Sequence, residues 1–201
     1  MSGALSNSQI ENLAKKMRIP LAFCDFKDLL KSEKLQHNKL YIINMEDEFD
    51  ENGKPNSGSH WTCFQSNKYP NGKVENIYFD SMGCVAPLEV QHFLGEKEVP
   101  YNKKNIQSIL GDICGYYCLG FGHFINSFEG RTGDLYTDTN HFLDLFDDLD
   151  KSIDFEKNEY ILKHFFRSSN PKERIPISVE KKITGGDTDS IHIPVGTNII
   201  S

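Results

Sequence analysis

The sequence of 201 residues contains no apolar run approaching the about 18–20 residues of a membrane span, so a helical membrane protein is not expected. Its first eight residues, Met1 to Ser8, lack the basic and apolar regions of a secretory leader, and the expected place of action is inside a cell. Paired cysteines are missing too. The five cysteines are an odd number with no closely spaced loop pairs, so free thiols are expected rather than a disulfide framework. Basic charge is in the minority, with 22 Lys and Arg against 29 Asp and Glu. The resulting net charge of −7 gives no global attraction for nucleic acid. Lys15-Lys16 and Lys103-Lys104 are short clusters of the kind found on any solvated surface. No internal repeat is present, and the acidic stretch Glu46 to Glu51 lacks the spacing of a calcium loop. What remains is 38% hydrophobic and 25% charged, the composition of one globular domain with a core.

Local patterns divide this domain from a tail. Asn7 or Ser8 is expected to cap an amphipathic helix to about Met17, with Ile10, Leu13, Ala14 and Met17 at helical spacing. Asp25 to Leu35 is read as a second helix. Leu40 to Asn44 is a continuous apolar run and predicts a buried strand. A long polar loop, Met45 to Ser59, precedes two strands, His60 to Gln65 and Glu75 to Asp80, joined by a turn with Asn71-Gly72. Helices are expected over Leu88 to Leu94, Cys114 to Phe128, Thr139 to Leu149 and Phe155 to Arg167. The inner faces of the last two carry Phe142, Leu145, Phe146 and Tyr160, Ile161, Phe165. Cys114 to Phe128 is apolar nearly all round, as a central buried helix would be. The domain is therefore placed at residues 1–170. The tail, 171–201, has no aromatic residue, and Ile175, Ile177 and Val179 alternate in it as in an edge strand.

Within the domain, His60-Trp61, Asp80, Gln107 and Cys114 occur in an order that supplies a base, its orienter, an oxyanion donor and a nucleophile. A thiol in the first turn of a helix lies among unpaired N–H groups at the positive end of the dipole, which favours the thiolate. Asp80 can accept from one imidazole nitrogen and leave the other for the thiol. Gln107, seven residues before Cys114, can join the Cys114 N–H in donating to an oxyanion. Each residue alone has a plainer reading: a buried inert cysteine, a satisfied histidine, a core tryptophan. Cys114 and Cys118 with His123 also raise zinc, although the spacing is not that of a zinc site. Gly115, Gly120 and Gly122 are better explained by close helix packing than by a phosphate loop. Cys24, Cys63, Cys84 and Cys118 receive no role from spacing.

Taken together, Gly58-Ser59-His60-Trp61, Tyr78-Phe79-Asp80-Ser81-Met82-Gly83, Gln107 and Asp112-Ile113-Cys114-Gly115-Tyr116-Tyr117-Cys118 resemble the adenovirus-type (adenain-like) cysteine endopeptidases. The same order occurs in the clan that includes the SUMO-deconjugating proteases. The resemblance runs from about residue 8 to about residue 168. It implies an α+β, papain-like fold in which a small central mixed sheet is flanked by helices and the nucleophile begins a buried helix. It implies His60 as general base, Asp80 as its orienter, Cys114 as nucleophile and Gln107 in the oxyanion hole. Trp61 would line a narrow channel that admits small residues. The adenovirus members carry Glu where this chain has Asp80, which in this respect is closer to the deconjugating branch.

The implied activity is cleavage after Gly-Gly or Gly-x, below an aliphatic residue, in viral capsid or core precursors during virion maturation. The implied setting is the virion and the host-cell cytoplasm or viral factory, for a monomer that needs no membrane. Ile183-Thr184-Gly185-Gly186 in the tail fits the same motif, so self-cleavage between Gly186 and Asp187 is expected. No metal or cofactor is expected. The family uses a peptide strand and DNA as activators; the net charge of −7 argues against DNA and leaves nucleic acid open. The alternating tail segment offers itself as a strand added in cis. Two other readings stand beside this one: a processing enzyme for a ubiquitin-like modifier, and a catalytically dead structural component on the same fold.

Overall fold

The computed structural model describes residues 4–150 and 155–167. Its architecture is α+β, with one four-stranded mixed sheet between two groups of helices. The strands are β1 (Leu21–Phe26), β2 (Lys39–Asn44), β3 (Trp61–Lys68) and β4 (Val74–Phe79), and they lie in that order across the sheet. β1 runs parallel to β2, while β2, β3 and β4 are antiparallel neighbours. The helices are α1 (Asn7–Lys16), α2 (Leu88–Leu94), α3 (Cys114–Ser127), α4 (Leu135–Leu143) and α5 (Phe155–Arg167).

The continuous apolar run of β2 is explained by burial on both faces, since side chains alternate across a strand. Leu40 and Ile42 face a core shared with α1, α3, α4 and α5. Tyr41 and Ile43 face a second core, closed by Leu30, Ala86, Val90 and Val99. On the first side Phe79 of β4 stacks on Phe121 of α3 at 4.6 Å between ring centroids, and Phe142 of α4 meets both edge-on. α3 therefore has the sheet on one side and helices on the other, which accounts for its apolar circumference. Its approach to β2 is close. A Cβ on Gly122 would stand 2.4 Å from Leu40 Cδ2, so tight packing is what this glycine serves.

Several expectations need correction. Ser6, not Asn7 or Ser8, caps α1, in a capping box with Gln9. The helix read over Asp25 to Leu35 does not form. Leu21–Phe26 is strand β1, and only Lys27–Ser32 coils, as a 3₁₀ helix. Pairing with β2, from Leu21↔Leu40 to Phe26↔Asn44, overrides the local helical pattern. α4 begins at Leu135 rather than Thr139, because Asp134 accepts the Thr137 N–H at 2.8 Å and caps it there. Leu145 and Phe146 are buried, but they follow the helix. Tyr160 is 70% exposed; the buried face of α5 is Ile161, Leu162 and Phe165. The tail expectations, Ile175 to Val179 and the Gly186-Asp187 bond, lie outside the described residues.

Candidate active site

The open end of the β3–β4 hairpin carries the site. His60 immediately precedes β3 and Asp80 immediately follows β4, so antiparallel pairing brings them together although twenty residues separate them. His60 Nε2 lies 2.8 Å from Asp80 Oδ1. Asp80 is 2% exposed, and the same Oδ1 accepts the Met82 N–H at 2.8 Å. A buried carboxylate needs such partners, because leaving it unpaired would cost several kcal/mol.

Asn102 fixes the Asp80 backbone from both sides. Its Oδ1 accepts the Asp80 N–H at 2.9 Å, and its Nδ2 donates to the Asp80 carbonyl at 2.6 Å and to the Lys104 carbonyl at 3.1 Å. Asn102 is buried. Nothing in the sequence marked it; only the parallel approach of Pro100-Tyr101 to Tyr78 brings it beside the strand end.

Cys114 is the first residue of α3, and no side chain caps that helix end. The early N–H groups of α3 are thus directed at whatever lies beside the sulfur. The Trp61 backbone N–H points at Cys114 Sγ across 3.4 Å. On the opposite edge of the same residue, Cys118 Sγ–H points at the Trp61 carbonyl across 3.4 Å. Burial pushes the Cys118 thiol well up, and nearby Cys63 adds to this, so Cys118 stays protonated. The His60 ring also feels Cys114. Burial opposes a charge on the ring, but the hydrogen bond to Asp80 and the interaction with the Cys114 sulfur outweigh it, and its pKa rises from 6.5 to about 9. With Nε2 committed to Asp80, Nδ1 is the ring nitrogen left for Cys114.

These residues open on a cleft of about 220 Å³. His60, Trp61, Cys114, Met82 and Ile109 contribute to its wall. Cys114 is 4% exposed, so access to the sulfur is through this cleft. Trp61 is part of the wall, and its Nε1–H donates to the Leu5 carbonyl at 2.8 Å. Ile109 and Leu110, 83% and 91% exposed, project from the loop leading to Cys114.

Gln107 is held one step back. Its Nε2 donates to the Gly111 carbonyl at 2.7 Å, and its Oε1 accepts from Ser81 Oγ at 2.8 Å. One amide hydrogen is thereby committed to shaping the loop before Cys114. The zinc alternative does not assemble: Cys118 is turned to Trp61, and His123 Nδ1 lies 3.3 Å from the Met17 carbonyl. No group of three metal-ligating side chains occurs among the described residues. Cys84 is exposed, and partial burial together with the Asp80 carboxylate raises its pKa.

No protein-family model matches the chain, and no curated protein matches it. Among solved structures, the crystal structure of HopZ1a in complex with IP6 aligns with 90% of this chain at 12% identity and a TM-score of 0.41. This chain spans 59% of the length of that one. A likeness of this depth assigns neither a family nor an activity.

Proposed function

We propose that the protein is a cysteine endopeptidase that cleaves after glycine. One observation carries this reading: His60, hydrogen-bonded to buried Asp80 at 2.8 Å, also engages Cys114 at an uncapped helix N-terminus inside a cleft. The reaction requires the Cys114 sulfur to act as the thiolate, with its proton held on His60. The sulfur attacks the scissile carbonyl carbon, and the carbonyl electron pair moves to oxygen. The Cys114 backbone N–H stabilises that oxyanion, joined by the second Nε2 hydrogen of Gln107. Collapse of the intermediate breaks the C–N bond, and the amine leaves with the proton from His60. Neutral His60 then takes a proton from water, whose oxygen attacks the thioester and frees the enzyme.

The small cleft suits a glycine at the scissile bond, and exposed Ile109 beside it suits an aliphatic residue upstream. The sequence resemblance extends the proposal to Gly-Gly or Gly-x sites in viral structural precursors, and to the chain's own Gly186-Asp187 bond. Intact mass after prolonged incubation tests both. Wild-type protein is expected to lose residues 187–201 and to cut virion precursor proteins after glycine, whereas Cys114→Ala does neither. Identical masses and no cleavage by either protein would remove the reading.

A further inference from the structure

Asn44 closes β2 and lies opposite Trp61 in the sheet register. It is 3% exposed, yet it forms part of the cleft wall. Its Oδ1 is committed, accepting the Ser59 N–H at 3.2 Å and the Glu46 N–H at 3.1 Å. Two donors on one atom settle which end of the amide is oxygen. The other end is turned toward Gly58, and a Cβ at Gly58 would come within 2.5 Å of Asn44 Nδ2. Gly58 also has a φ of +84°, a conformation that side-chain-bearing residues avoid. Its N–H is held by Glu46 Oε2 at 3.0 Å, so the loop against Asn44 is braced at two successive residues.

Asn44 Nδ2 has no protein acceptor among the described residues. It is not sealed away either: the fully buried side-chain atoms lacking a partner there are Asn76 Oδ1 and Asn105 Oδ1. Asn44 therefore presents a nearly buried, pre-oriented N–H donor to the cleft that holds Cys114. A buried amide left unsatisfied is costly, and a carbonyl oxygen is the group that satisfies it.

We propose that Asn44 Nδ2 is a substrate-binding donor that hydrogen-bonds a main-chain carbonyl of an extended peptide lying across the cleft beside Cys114. This rests on the peptidase reading and adds to it a contact with the peptide backbone, which holds the substrate while Cys114 and His60 perform the chemistry.

Asn44→Asp is the decisive variant. It keeps an acceptor for the Ser59 and Glu46 N–H groups and replaces the donor with a second acceptor. Steady-state cleavage of a short Gly-Gly peptide is to be compared with alkylation of Cys114 by iodoacetamide, a reagent too small to span the cleft. The expected result is a KM raised about tenfold, the value of one lost hydrogen bond, against a much smaller change in kcat and in the alkylation rate, which the added charge alone accounts for. An unchanged KM would overturn the assignment, as would an alkylation rate that falls as far as kcat/KM for the peptide, which marks a structural role. Wild-type protein that alkylates at Cys114 but hydrolyses no peptide would remove the peptidase reading, and this inference with it. An active wild type beside an Asn44→Asp enzyme of equal KM would remove this inference alone.

Discussion

Asp80 Oδ1 holds His60 Nε2 at 2.8 Å across the open end of the β3–β4 hairpin, and this contact leaves the other ring nitrogen free for Cys114. Its consequences are both electrostatic and mechanical.

The electrostatic consequence is a pH dependence of stability. The folded His60 pKa of about 9 stands above its ordinary 6.5. The stabilisation from charging His60 is therefore fully present below pH 6.5 and is lost as pH rises through about 9. The melting temperature of wild-type protein should fall across that window. In His60→Gln the fall should be shallower, and parallel curves for the two proteins would contradict the assignment.

In the proposed mechanism Asp80 orients the base rather than reacting. Loss of Cys114 or His60 should cost roughly 10⁶-fold in kcat, whereas Asp80→Asn should cost about 10⁴-fold, as in other triads dissected in this way. Single-turnover cleavage of a Gly-Gly peptide measures the difference. Equal losses for all three variants would contradict a purely orienting role for Asp80.

Asn102 should act through Asp80. Asn102→Ala strips partners from the Asp80 N–H and carbonyl and from the Lys104 carbonyl, at a cost of about 1–3 kcal/mol in stability. It should lower kcat in the wild-type background and add little in the Asp80→Asn background, since the two share one route. Additive losses in this double-mutant cycle would place Asn102 outside the Asp80–His60 contact.

The packing of α3 on β2 makes its own prediction. Gly122→Ala places a methyl 2.4 Å from Leu40 Cδ2, and over-packing of this kind costs about 1–3 kcal/mol. Chemical denaturation should show it as a lower midpoint. Leu40→Ala combined with Gly122→Ala should recover part of the loss relative to the sum of the single changes.

Much of this was legible in the chain itself. β2, the β3–β4 hairpin, α2 and α3 followed from apolar runs, the Asn71-Gly72 turn and a helix apolar all round. His60, Asp80 and Cys114 stand out in the sequence by their order and by lying at the ends of readable elements, whereas their joint roles and the place of Trp61 come from the family resemblance. β1 could not be read, since a six-residue strand beside Asp25 to Leu35 competes with a helical pattern, and only its partner β2 decides between them. Asn44 left a trace, as the one polar residue closing an apolar run, but only one of its oxygen's partners, the Glu46 N–H, is local; the other comes from Ser59, fifteen residues on. Asn102 left none: its role arises where residues 100–104 pass the end of β4. The distance of Gln107 from Cys114 suggests a donor, but one of its amide hydrogens is already used by the Gly111 carbonyl.

The central claim is that one of five free cysteines, Cys114, is aimed and activated by His60. Treatment with a Gly-Gly vinyl-type thiol probe, followed by peptide mapping, tests it most directly, because exposed Cys84 serves as an internal control. The expected result is a single adduct on Cys114 in wild-type protein, its formation slowed by orders of magnitude in His60→Gln. Preferential labelling of Cys84, or equal labelling of Cys114 with and without His60, would contradict the account.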